Sequence, residues 1–159
     1  MEITVEDMRK QQPEKQETLE KALHAAFLNP CQETVFQVCD ALATACVYNL
    51  SALVPCKMIG ADLKYMMFTI NSHGTAYLAF TTEAEGKKCN PDALVRIPWH
   101  SVLKRALDDA RYIGIAIDPY NGESMFVLNK SNLSGILNRS AYLIRHLPEP
   151  VRTAAMNGI

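Results

Sequence analysis

The residues of this chain with the most capacity for chemistry are its five cysteines, at 31, 39, 46, 56 and 89, and its four histidines, at 24, 73, 100 and 146. A thiol nucleophile needs a stabilised thiolate, a base within reach and a donor for the oxyanion. Cys56 and Cys89 fall in segments that read as loops, so a thiol-dependent enzyme would use one of them beside His73 or His100. The local sequence offers no further support. There is no G-x-S-x-G, no H-E-x-x-H and no signature around a cysteine. No C-x-x-C occurs and no histidine lies within four positions of a cysteine, so no metal site is expected. Phosphate cradles of the G-x-x-x-x-G-K or G-x-G-x-x-G type are missing, and no cofactor is expected. Glu83 and Glu85 read as solvated loop charges. Asp108 and Asp109 oppose the dipole at a helix carboxyl end, where Arg111 can offset them. The expectation is a protein that is not an enzyme.

An odd cysteine count without paired spacing disfavours a disulfide framework and fits a reducing, cytoplasmic setting. The 159 residues are 48% hydrophobic and carry a net charge of −1. That composition supports one folded domain and no broad nucleic-acid footprint. The doublets Lys87-Lys88 and Lys104-Arg105 read as surface solubility. No apolar run has the length of a membrane span, and the polar amino terminus does not read as a secretory signal.

The elements that must position these residues follow from charge and periodicity. Residues 1–21 carry ten charged side chains and residues 22–82 only five. Residues 1–13 therefore read as a flexible arm, with a single domain over 14–147 and a tail over 148–159. From Thr18, Leu19, Ala22, Leu23, Ala26 and Phe27 repeat with a helical period, and Asn29-Pro30 breaks that helix. A second helix is predicted over Cys31–Cys46, with Cys31, Val35, Val38, Cys39, Leu42 and Cys46 on one buried stripe, its cysteines acting as small apolar residues. Strands are predicted at Val47–Val54, Leu63–Asn71 and Thr75–Thr81, the last two joined by Ser72-His73-Gly74. After a polar loop over 82–92 come a strand at Ala93–Ile97, a helix led by Pro98-Trp99, and a strand at Tyr112–Ile117. The turn Asp118-Pro119-Tyr120-Asn121-Gly122 then leads to a strand at Ser124–Leu128, and Ser131 caps a last helix ending near Leu147. The expected fold is α+β. It has one mixed sheet of five to six strands, two amino-terminal helices, a crossover helix and a carboxyl-terminal helix packed on it.

What remains for function is shape. Trp99 lies on an amphipathic face and reads as core. Tyr120, in a tight turn, is the better exposed aromatic. The segment Tyr142–Leu147 is apolar around its whole helix, so Tyr142, Ile144 and Leu147 join Tyr120 as candidate partner-binding residues.

The order of the pieces resembles the amino-terminal domain of the SseB (enhanced serine sensitivity) family over residues 17–138. The resemblance rests on Val54-Pro55, AYLAFTTE (76–83), VRIPWHSVLKRAL (95–107) and GIAIDPYNGESMFVL (114–128). The family's strand-closing motif is matched by Phe80-Thr81-Thr82. Its Gly-x-x-(Ile/Val)-Asn-Pro turn is matched at Gly114–Pro119, with Asp118 in place of asparagine. The resemblance implies the fold, a cytoplasmic bacterial setting and no assigned catalytic activity. The family's carboxyl-terminal domain has no counterpart within these residues. The expected function is a non-enzymatic interaction module contacting an unidentified protein. The alternatives are the thiol-dependent enzyme and a homo-oligomeric structural or immunity-type protein, a homodimer through the last helix.

Overall fold

Thr4 sets where the chain becomes regular. Its hydroxyl accepts the Asp7 amide at 3.1 Å and its own amide donates to the Asp7 carboxylate at 2.9 Å, a reciprocal cap. The computed structural model describes residues 3–70, 73–120 and 126–157. Helix α1 (Val5–Leu28) follows that cap, so the arm expected over 1–13 is helical from residue 5. Its charge density misleads because one face alone is apolar. Met8 is fully buried against Val47 and Val151, while Glu6, Arg9 and Lys10 look outward or to the rim. Pro13 sits inside the helix despite its missing amide. The turn before it is tied down: Tyr48 Oη donates to Gln11 Oε1, and Gln12 Nε2 donates to the Tyr48 carbonyl, both at 2.8 Å.

The chain forms two compact units, residues 1–50 with 134–159, and residues 51–133, where one domain over 14–147 is expected. The first is helical: α1, α2 (Gln32–Val47), α5 (Lys130–Arg145) from Ser134 onward, and α6 (Glu149–Asn157). The predicted tail is thus a helix, held by the burial of Val151 and Ala155. Asn49, at φ 54°, turns the chain out of α2, and the strand expected from Val47 begins at Ser51 instead.

The second unit carries the strands β1 (Ser51–Ile59), β2 (Asp62–Tyr65), β3 (Met67–Ile70), β4 (Gly74–Ala79), β5 (Ala93–Pro98), β6 (Tyr112–Ile117) and β7 (Val127–Asn129). The short helix α3 (Glu83–Lys87) and α4 (Trp99–Asp108) lie between them in sequence. The fold is α+β. Its strands divide into two sheets, β2-β1-β5 and β3-β4-β6-β7, rather than one. They meet at a single bridge, where Leu53 and Phe80 exchange backbone bonds at 2.9 and 2.8 Å. β1 runs through Pro55, a position where the sequence points to a strand end. The Pro55 carbonyl accepts Met66 N–H at 2.9 Å on the side where Phe80 has left the ladder, and no donor is needed there.

β4 and β6 are parallel, with α3, β5 and α4 in the crossover. Trp99, Val102, Leu103 and Ala106 are all fully buried along α4, so Trp99 is core. Gly114 is required where β6 meets β7, because a Cβ there would come within 1.9 Å of the Leu128 carbonyl. β6 and β7 are antiparallel as expected. The intervening Asn121, Gly122 and Ser124 lie outside the described residues, as do Asn71 and Ser72 of the other expected turn. Among the described residues, no helix is long and apolar enough to cross a membrane.

Candidate functional site

A two-residue loop, Gly60-Ala61, reverses β1 into β2, with Gly60 at φ 65° supplying the turn. β5 begins at Ala93, opposite Cys56, so Lys57, Met58 and Ile59 extend past it. Asp92 takes the place of a strand there. Its amide donates to the Cys56 carbonyl at 2.9 Å and its carboxylate accepts the Met58 amide at 2.7 Å. Lys57 lies 3.8 Å from the same carboxylate. The hairpin tip is therefore ordered by one aspartate while its side chains face water.

Several of the exposed side chains here are large and apolar. Met58 (52% exposed), Ile59 (63%), Leu63, Tyr65 and Met67 are five of the eleven large hydrophobic residues exposed among the described ones, within a ten-residue stretch. Met58 stands directly across from Leu63, and Cys56 across from Tyr65, so these share one face. The Arg105 guanidinium lies 4.9 Å from the Tyr65 ring centroid and borders the patch. A concentration of this kind is what contact surfaces present. The sequence carried a signal for it: Gly60-Ala61 between two strand-forming runs, with Met58, Ile59 and Leu63 beside the turn.

The residues nominated from sequence are scattered. Tyr120 is 41% exposed, with its ring stacked 6.2 Å from Phe80 and edge-on at 5.7 Å to Phe68, and its carbonyl accepts from Lys88 Nζ at 3.4 Å. Tyr142 is exposed, 4.2 Å from the His146 ring. Ile144 and Leu147 are half-buried against Met8, Val47 and Val151. Their apolar character is used in packing, because α1 and α6 cover the side that sequence left open.

The thiols also differ from expectation. Cys56 is buried in β1, not looped out, and burial pushes its thiol up. Cys89 is half-buried, donates to the Gly86 carbonyl at 3.3 Å, and is pushed up by burial too. Cys46 lies in the core and is raised to about 12. Cys31, expected on the buried stripe, is exposed at the start of α2. Hydrogen bonding with Thr34, whose hydroxyl lies 3.5 Å from the sulfur, draws the Cys31 thiol down. Among the described residues no cluster of three or more His, Cys, Asp or Glu could hold a metal.

At the carboxyl ends of β4 and β6, buried Asp118 accepts the Thr81 amide at 2.9 Å and the Thr81 hydroxyl at 2.5 Å. Beside it Thr82 caps α3 through the Glu85 amide at 3.2 Å. This is a structural latch between the two strand ends. Two grooves accompany these features. One, of about 470 Å³, lies between α1 and α2 beside Lys15, Phe36 and Asp40. The other, of about 420 Å³, runs along α4 past His100, Arg105 and Asp109. Comparison of the chain with protein-family models, with curated proteins and with solved structures returns no match.

Proposed function

We propose that this chain is a non-enzymatic interaction module of the SseB amino-terminal type, working in the cytoplasm by protein–protein contact through the β1–β2 hairpin. The observation that carries the reading is the exposed apolar face of Met58, Leu63 and Tyr65, with Ile59 exposed on the other face of the same hairpin tip. Flexible methionines on an ordered frame suit a surface that packs against another protein. The SseB resemblance supports the same reading, since its two motifs meet in the Asp118–Thr81 latch and serve architecture. Burial of Cys56 and Cys89 works against the thiol-dependent alternative, because it moves both away from the thiolate.

The test is a photo-crosslinking side chain placed in cells at Ile59, with one at Phe36 as control. The reading expects a discrete protein adduct from position 59, lost on adding Met58→Ser and Leu63→Ser with the melting temperature unchanged. Adducts from Phe36 alone would overturn it.

A further inference from the structure

Main-chain direction along the hairpin identifies what the outer edge of β2 lacks. The Met58 amide and the Cys56 carbonyl both point to Asp92, away from β2. In an antiparallel ladder, residues opposite one another either exchange both bonds or turn both groups away. Leu63 and Tyr65, the partners of Met58 and Cys56, therefore direct their N–H and C=O groups outward, while Lys64 and Met66 bond inward. β2 has a strand on one side only, and all four of its residues are exposed. An open edge of this kind is a template for another strand.

The charges specify which strand. Lys64 stands directly across from Lys57, a like-charge pair that disfavours the hairpin. Lys57 has Asp92 within 3.8 Å, whereas neither Lys64 nor Asp62 has an ion pair among the described residues. The segment Asp62-Leu63-Lys64 is complementary to itself when reversed. Set antiparallel to a second β2 and centred on Leu63, it places each Asp62 opposite the other copy's Lys64. The two Leu63 residues exchange both main-chain bonds. On the same face, Met58, Leu63 and their copies form one apolar row across four strands.

We propose that β2 pairs with β2 of a second copy of this chain, in the antiparallel register centred on Leu63, joining two three-stranded sheets into one. The proposal rests on the hairpin being the contact surface and names its occupant. Closed two-fold pairing also covers the open edge of both copies.

Sedimentation velocity of the full chain, up to roughly 100 micromolar, tests it. The wild type sediments as a dimer. Lys64→Glu and Asp62→Lys each weaken self-association about tenfold, since both copies then oppose like charges. Lys64→Glu also relieves the contact with Lys57, so at a concentration low enough to keep the wild type monomeric it melts no lower than wild type, and unfolding cannot explain its loss of dimer. Mixing the two variants restores dimer, because each supplies the charge that the other lacks. Leu63→Pro removes an outward amide with no bond in the monomer and abolishes pairing. A wild-type monomer throughout, or a dimer indifferent to both charge variants, overturns the proposal. Crosslinking at Ile59 separates this from the broader reading. A self-adduct of twice the chain mass supports pairing, and an adduct of another mass keeps the surface but overturns its occupant.

Discussion

The Asp118 carboxylate holds both the amide and the hydroxyl of Thr81, at 2.9 and 2.5 Å, from a backbone at φ 47°. The Asp118 amide in turn donates to the Ala79 carbonyl at 3.1 Å. Three bonds thus tie together the ends of two parallel strands, at a residue whose left-handed conformation disfavours most side chains. Asp118→Ala removes the carboxylate that accepts from the Thr81 amide and hydroxyl and is expected to cost about 2–3 kcal/mol in urea unfolding. Asp118→Asn keeps an acceptor for the amide and lets the Thr81 hydroxyl accept in return, so it costs much less. Asp118→Gly relaxes the backbone but loses the bonds. Stability equal to wild type in Asp118→Ala, which gains no such relief, would show that the latch contributes nothing.

That latch explains why part of the fold was legible. Phe80-Thr81-Thr82 and Asp118-Pro119 are strand-closing signals with local chemistry, and both lie at the strand ends that the alternation in 75–81 and 112–117 predicts. The amphipathic face from Trp99 to Ala106 was equally plain. Features that depend on distant partners were not. The amino-terminal turn reads as an arm until Val47 and Val151 are known to cover Met8. Leu63–Asn71 reads as one strand, because nothing local says that Met66 passes from β1 to the sheet of β4. Cys31 fits a helical stripe arithmetically, yet it precedes the first turn and so escapes burial. The hairpin surface was missed for a related reason: a strand expected to end before Pro55 leaves Met58 and Ile59 in no element, whereas β1 runs on to Ile59 past the end of β5 and exposes them.

The cysteines should separate by reactivity. Cys31 is exposed and its thiol is lowered chiefly by Thr34, whereas burial raises Cys39, Cys46, Cys56 and Cys89. At neutral pH, iodoacetamide should modify Cys31 at least about tenfold faster than Cys46 in the folded protein. Thr34→Val should slow Cys31 and shift its rate profile to higher pH. Peptide mapping at short times checks the order, and Cys56 labelling first would contradict the burial described here.

Asp109 gives the clearest acid titration. Its carboxylate accepts from the Arg111 amide at 2.9 Å and from the guanidinium at 2.8 Å, which holds it down at about 2. A carboxyl lowered on folding stabilises the native state above its ordinary range, and that contribution fades as the pH falls from about 4 to about 2. Carbon-detected NMR titration should place Asp109 near the bottom of that window. Arg111→Gln should return it toward the ordinary carboxylate range and flatten the stability profile there.

Met8 provides the strongest test of the helical unit. It is fully buried, and with Val47 and Val151 it forms the cluster against which Leu143, Ile144 and Leu147 pack. Met8→Ala removes a buried side chain that nothing adjacent can replace, and about 2–5 kcal/mol of stability should go with it. Truncation before Glu149 deletes Val151 and uncovers the same cluster, so it should be destabilising in the same sense. Ile144→Ala should likewise act through melting. If Ile144 and Leu147 instead served a partner, Ile144→Ala would leave the melting temperature unchanged and weaken only association. Thermal melts of the two single variants beside the truncation distinguish these outcomes, and packing on Met8 predicts that all three fall.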